Sequence, residues 1–492
     1  ADRDLLNAKF GLALGGGDKL TLVLNRVRIS AQDPLGLSES QLAGNPRGAD
    51  LATQYDTRKT VAQTQLGLVY EKHLASGDNL RLMAYAGERK TMQFQSIPVS
   101  AQQNPLHAGG VIDLGRDYWG ADLRWSRRTQ LAGRPFQLAA GLAYDDLRER
   151  RRGFENYVGS VSAPVLGQIG QLRRDERNRA ANLDPYAQAI WQPSEPWRVE
   201  AGVRRSSVRF SSSDRYVVGP NGDDSWSSRY GRLLPTAAVR YQVRPDLALY
   251  ATAGRGFETP TLNELAYRPG GASGLNTSLR PATNASLELG LKARLGGGLF
   301  TAAVFETGTR DEIVTLSNVD GRSTFQNAGR TRRRGLELQW QHETRHHWRT
   351  EVAYTWLDAR YRDAFCAPAP CSAATQVAAG NRVPGVARQV LYAAVGWMPP
   401  QGWHAGAEWR VISRIYANDR NTAHAPGYAV GALHVGYARR WQGWELDAFA
   451  RVDNVMNRRT VGSVIVNEGN GRYFEPAPGR SWTAGVSAVY RF

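Results

Sequence analysis

The amino-acid sequence predicts an all-β protein, a transmembrane antiparallel β-barrel with about 19 strands on this chain. Three observations lead there. Apolar and polar residues alternate strictly from end to end, the pattern of strands with one greasy face, whereas helical periodicity is almost absent. Many alternating runs exceed about ten residues and end on aromatics, while strands of soluble sandwiches average about five or six. Short, turn-rich connections alternate with long ones, as in barrels with tight periplasmic turns and long outer loops.

The elements follow in chain order. Segment 5–14 runs into a turn at 15–18. Further on, Trp197, Val199, Ala201 and Val203 interleave with Arg198, Glu200, Gly202 and Arg204. The clearest strand sets Leu287, Leu289, Leu291, Ala293 and Leu295 against Glu288, Gly290, Lys292 and Arg294. Leu336, Leu338 and Trp340 alternate with Glu337, Gln339 and Gln341. In the last segment Trp482, Ala484, Val486, Ala488, Tyr490 and Phe492 share a face.

Short connections fall at 15–18, 76–79, 132–135, 194–196, 244–246, 296–298, 344–347, 399–402 and 442–443. Their Gly, Pro, Asn and Asp content suits tight hairpins. Long connections include 32–58, 97–116, 150–174, 259–283, 358–384 and 454–480. Each short turn joins two strands, and the C-terminal strand brings the count to about nineteen. Bacterial single-chain barrels have even strand numbers, and the first strand here descends from outside. An odd number of strands, with whatever precedes them, is therefore expected outside these 492 residues, which open with neither a Met nor a leader pattern. The whole of 1–492 reads as one barrel domain.

Composition alone points elsewhere. The 492 residues would suggest about three domains, and 22% charged residues with a mean hydropathy of −0.46 look soluble. Alternation resolves this, because only half of each strand must face lipid. No run of eighteen apolar residues exists, so a membrane-spanning helix is excluded. Collagen, a coiled coil and a disulfide-stapled miniprotein are excluded too. Net charge is +17, from 62 basic and 45 acidic residues, and Lys occurs only at Lys9, Lys19, Lys59, Lys72, Lys90 and Lys292. Arginine clusters at 148–152, 173–179 and 332–334 belong to no nucleic-acid module. They read as lumen and lipopolysaccharide-facing charge, or as a field drawing an anionic ligand into a vestibule.

The one tempting catalytic motif is His342-Glu343-Thr344-Arg345-His346, a formal zinc-protease match. That chemistry needs a helix, and in a strand four residues span about 13 Å, too far for two ligands of one ion unless the turn folds back. Here the motif runs from a strand into a short turn. Gly254-Arg255-Gly256 lacks the third glycine of a dinucleotide site, and no G-x-S-x-G or P-loop occurs.

Several stretches together resemble the TonB-dependent outer-membrane receptors. They are YATAGRGFETPTLNELAY (250–267), NASLELGLKARL (284–295), FQNAGRTRRRGLELQW (325–340), RVDNVMNRRT (451–460) and PAPGRSWTAGVSAVYRF (476–492). AQDPLGLSESQ (31–41) and NRVPGVARQVLY (381–392) look most like the branch with receptors for pyrroloquinoline quinone. The resemblance implies a barrel of about 22 strands around a plug, the plug and its TonB box lying outside this chain. It implies binding and energised import of a scarce anionic ligand, pyrroloquinoline quinone or a ferric siderophore-type chelate, with no cofactor and no catalytic residue. Implied partners are the TonB–ExbB–ExbD complex through the N-terminal part, outer-membrane lipid, lipopolysaccharide and, through Phe492, the barrel assembly machinery. A passive porin-like channel is the alternative, and a membrane-embedded zinc hydrolase using His342, Glu343 and His346 a more distant one.

Candidate ligand contacts are Trp226, Tyr267 and Tyr416, which could stack on a planar ligand, with Arg268 and Arg382 as anion-binding cations. Cys366 and Cys371 flank Ala-Pro-Ala-Pro in a long loop. The route through the oxidising periplasm makes a disulfide the expectation, and two cysteines are too few for a metal site.

Overall fold

The computed structural model describes residues 2–319, 322–367 and 371–491. Nineteen strands form one antiparallel sheet. It opens with β1 (Asp2–Gly15), β2 (Asp18–Gln32), β3 (Arg58–His73) and β4 (Asp78–Phe94). The tallest strands follow: β5 (Val111–Leu131), β6 (Arg134–Phe154), β7 (Leu172–Ser194), β8 (Trp197–Asp214) and β9 (Trp226–Arg244). Next come β10 (Leu247–Glu258), β11 (Ala282–Leu295), β12 (Gly298–Arg310), β13 (Thr331–Glu343) and β14 (Trp348–Tyr361). The sheet ends with β15 (Gln389–Trp397), β16 (Gly402–Ile412), β17 (Tyr428–Trp441), β18 (Trp444–Asp453) and β19 (Ser481–Tyr490).

Each strand pairs with its sequence neighbours. The order continues without crossover to the last pair. Among the described residues, β1 pairs only with β2 and β19 only with β18. All nine short connections fall where the sequence placed them. Of the long ones, the structure adds 215–225, 311–330 and 413–427 to the six read from the sequence.

The alternation has the predicted sense. Leu287 and Leu289 are exposed on the outer face, while the intervening Glu288 accepts a hydrogen bond from the Tyr250 hydroxyl at 2.8 Å. Trp197, Trp348, Trp397, Trp403, Trp441 and Trp444 are exposed beside the short turns. Such a ring marks one edge of the apolar band. Trp482 and Tyr490 share the outer face of β19 about 26 Å apart along the strand, comparable to an apolar band of about 25 Å.

Strands β5, β6 and β7 have 21, 21 and 23 residues, about twice the 9–11 needed to cross a bilayer. Their upper halves therefore stand above the membrane. The sequence reading placed 111–116, 150–154 and 172–174 in loops, because charges on both faces erase the apolar alternation. What extends the sheet there is pairing of opposite charges: Arg152 with Asp113 at 2.5 Å, Arg150 with Asp175 at 2.9 Å, Arg116 with Glu149 at 2.6 Å, and Arg179 with Asp146.

Outside the sheet the loops are braced. Leu262, Leu265, Leu275, Leu279 and Phe210 form one buried cluster, and Val314, Ala328, Tyr361 and Val377 another. The buried Asp419 accepts from the Tyr361 hydroxyl at 2.7 Å and from Asn467 Nδ2 at 2.8 Å, tying three connections together. Cys366 and Cys371 are disulfide-bonded, as expected, with Cα atoms 5.3 Å apart. Phe492 lies outside the described residues.

His342 and Glu343 end β13, and His346 sits in the turn that follows. Glu343 is engaged by Arg349 at 3.1 Å, and no group of three metal-capable side chains occurs among the described residues.

Inside the barrel, Tyr250 on β10 lies over Gly290, its partner on β11. A Cβ at Gly290 would enter the Tyr250 ring inside van der Waals contact. Gly290→Val is expected to destabilise the barrel by about 1–3 kcal/mol, read as a lower denaturant midpoint for loss of the compact, fast-migrating form in unheated gels.

Candidate functional site

Above the barrel wall the long connections enclose a chamber of about 810 Å³. Its floor is made by the upper ends of β7 and β8, and its sides by connections 95–110, 215–225, 259–281 and 311–330. Connection 259–281 is anchored by the buried Leu265 and Ala266, which place Tyr267 at the chamber wall. Arg174 on β7 locks this placement by donating to the Ala266 carbonyl at 2.7 Å.

Tyr267 is the centre of the electrostatics. The guanidinium carbons of Arg322, Arg151 and Arg174 stand 4.3, 5.1 and 5.5 Å from its ring centroid. Burial pushes the phenol pKa up, but Arg151, Arg322 and Arg174 outweigh it and bring it down to about 8. Nearby, burial and then the charges of Arg322 and Arg173 push His107 down to about 3, so its imidazole is neutral at physiological pH. Arg268 lines the same chamber, donating to Leu275 O at 2.9 Å and lying 3.6 Å from Asp224.

The five residues singled out from the sequence are divided by the fold. Tyr267 and Arg268 line the chamber; Trp226, Arg382 and Tyr416 do not. Trp226 packs half-buried on the leucine cluster beneath connection 259–281. Arg382 stands 3.9 Å from Asp358, and its N–H donates to Asn421 Oδ1 at 2.8 Å. Tyr416 holds the adjacent segment, its carbonyl accepting from Gly385 N–H at 2.8 Å. Arg382 and Tyr416 thus share a second rim cluster. Sequence reading missed His107, Arg173 and Arg322. Among these, Arg173 lay inside the noted cluster 173–179, whereas His107 and Arg322 are isolated in their loops and carry no local signal.

A sheet of long amphipathic strands girdled by tryptophan, with an arginine-bearing chamber under its long loops, defines a transmembrane receptor barrel. Residues 8–455 match the family described as "TonB dependent receptor-like, beta-barrel", and the chain belongs to that family of outer-membrane proteins. Among curated proteins it is 23% identical to the metal-pseudopaline receptor CntO of Pseudomonas aeruginosa strain UCBPP-PA14, over 94% of this chain and 62% of the receptor. The chain therefore spans under two thirds of that relative. Among solved structures, the unliganded ferric citrate transporter FecA superposes with a TM-score of 0.77 at 17% identity, covering 99% of this chain and 70% of FecA. The siderophore receptor PiuA from Acinetobacter baumannii gives 0.75 at 14% identity, covering 99% and 73%. These relatives are named as receptors and transporters.

The lowered Tyr267 phenol is directly measurable. Ultraviolet titration of the full-length receptor is expected to show a phenolate absorbance step near pH 8 that is lost in Tyr267→Phe. Since the folded pKa lies below the unfolded one, ionisation adds stability as pH rises from about 8 towards 10, and that contribution is lost as pH falls through 8.

Proposed function

We propose that this chain is the barrel of a TonB-coupled importer that captures an anionic metal chelate in the chamber around Tyr267. The observation that carries the reading is a cavity among the outer loops lined by Arg322, Arg174 and Tyr267, with the buried Arg151 against the same ring. Guanidinium groups recognise carboxylate and other oxyanion groups in planar, two-oxygen geometry, and a desolvated site strengthens the attraction. The kinship with a metal-pseudopaline receptor supports a metal chelate as cargo. Pyrroloquinoline quinone, an anionic planar ligand, is supported by the wording of 31–41 and 381–392 and by the same cationic, aromatic wall. The plug, the TonB box and the strands that complete the barrel are assigned to the part of the receptor outside these 492 residues.

The decisive measurement is uptake of radiolabelled nickel–pseudopaline, and separately of pyrroloquinoline quinone, by cells carrying the full-length receptor. Accumulation of one of them that collapses with a protonophore is expected; accumulation indifferent to the proton gradient makes the barrel a passive channel. Neutralising Arg268 and Arg382 together (Arg268→Gln, Arg382→Gln) is expected to weaken binding of the imported ligand by about tenfold or more. Most of that loss should come from Arg268, which lines the chamber. Unchanged affinity removes both from the site.

A further inference from the structure

The guanidinium groups of the chamber are almost all paired. Arg174 lies 2.6 Å from Glu176, Arg173 3.5 Å from Glu155, and Arg268 3.6 Å from Asp224. Arg322 is the exception: among the described residues no carboxylate lies within ion-pair distance of it. It donates to the Gly109 carbonyl at 2.5 Å and approaches His107 Nε2 at 2.8 Å, while its Nε is buried without an acceptor.

The His107 contact is itself unsatisfied. The Gly109 N–H points at Nδ1 from 3.1 Å, and Arg322 Nη1 faces Nε2. A neutral imidazole has one acceptor nitrogen and one N–H, and a guanidinium has only donors. One of the two approaches therefore sets N–H against N–H. A second proton would worsen both, and burial together with the charges of Arg322 and Arg173 disfavours it. Arg322 is thus a cation in a confined site, held by the Gly109 carbonyl and Tyr267 and set against His107 in one frustrated contact.

We propose that Arg322 binds a carboxylate of the captured ligand and gives up His107 to do so. This rests on reading the chamber as the ligand site, and it narrows the cargo to a carboxylate-bearing chelate or cofactor. The geometry supports it in three ways. The planar guanidinium presents paired N–H donors that match two carboxylate oxygens, its Nη1 facing only His107 and its Nε holding no acceptor. Stacking on Tyr267 at 4.3 Å holds the plane of that fork. Arg151, on the same ring, adds positive field that no neutral hydroxamate-type chelate would answer. Exchange of His107 for a carboxylate also forfeits little, because the bond surrendered is not a good one.

The test titrates the detergent-solubilised full-length receptor with tricarballylate, a small tricarboxylate, and follows the thermal midpoint. Wild type is expected to gain stability with tricarballylate in a saturable manner. Arg322→Gln is expected to weaken that binding by about 10- to 100-fold, with Arg322→Lys between the two. His107→Ala is expected to bind as tightly as wild type or tighter. A structural role alone would make His107→Ala and Arg322→Gln fall together, and that result overturns the proposal. So does the absence of a shift in wild type, or equal binding by Arg322→Gln and wild type. Mobility in unheated gels confirms folding, and the charge-retaining Lys variant keeps the comparison open if the Gln variant fails to fold. Failure of energised uptake with tricarballylate binding intact would sink the import reading and leave the role of Arg322 standing.

Discussion

A chain that crosses lipid must pair every backbone N–H and C=O within itself, and the remainder of this structure depends on that constraint. Nineteen consecutive strands meet it by antiparallel pairing with their sequence neighbours, so each tight turn returns the chain at once. The same constraint confines irregular backbone to the two ends of the wall. At the lower end the connections are short; at the upper end they are long enough to fold on one another and build small cores of their own, such as the cluster around Leu265.

The height of the wall is set by a different force. Above the bilayer no lipid rewards an apolar outer face, and β5 to β7 continue because opposite charges oppose each other across the ladder. Exposed pairs of this kind contribute little stability individually, about 0–1 kcal/mol. Their consequence is electrostatic: most of the arginine in 148–152 and 173–179 is neutralised where it stands. A net charge of +17 therefore does not translate into a uniformly attractive vestibule. The effective field is local, concentrated where Arg322 and Arg151 meet Tyr267.

This division explains which parts of the site were legible in the sequence. Tyr267 and Arg268 were visible as an aromatic and a cation in a long loop. Trp226, Arg382 and Tyr416 fit the same description, yet Trp226 serves the leucine cluster and the other two join a separate rim cluster. Residue type and loop position do not distinguish a side chain that faces a chamber from one that braces its wall. Arg322 and His107 show the converse. They stand 215 residues apart in sequence, and neither sits in a motif.

By itself the sequence determined the fold class, the nine tight turns, the strand count and the disulfide. The first three follow from local periodicity and turn chemistry, which a linear chain records directly, and the disulfide from two loop cysteines on a route through the oxidising periplasm. Only the tertiary structure decided how far the strands rise above the bilayer, which arginines are neutralised, and which loops share a chamber. Those outcomes depend on cross-strand register and on contacts between loops far apart in sequence. Among the described residues, Arg322 lacks the carboxylate that Arg173, Arg174 and Arg268 have each found, a difference that only the folded loops create.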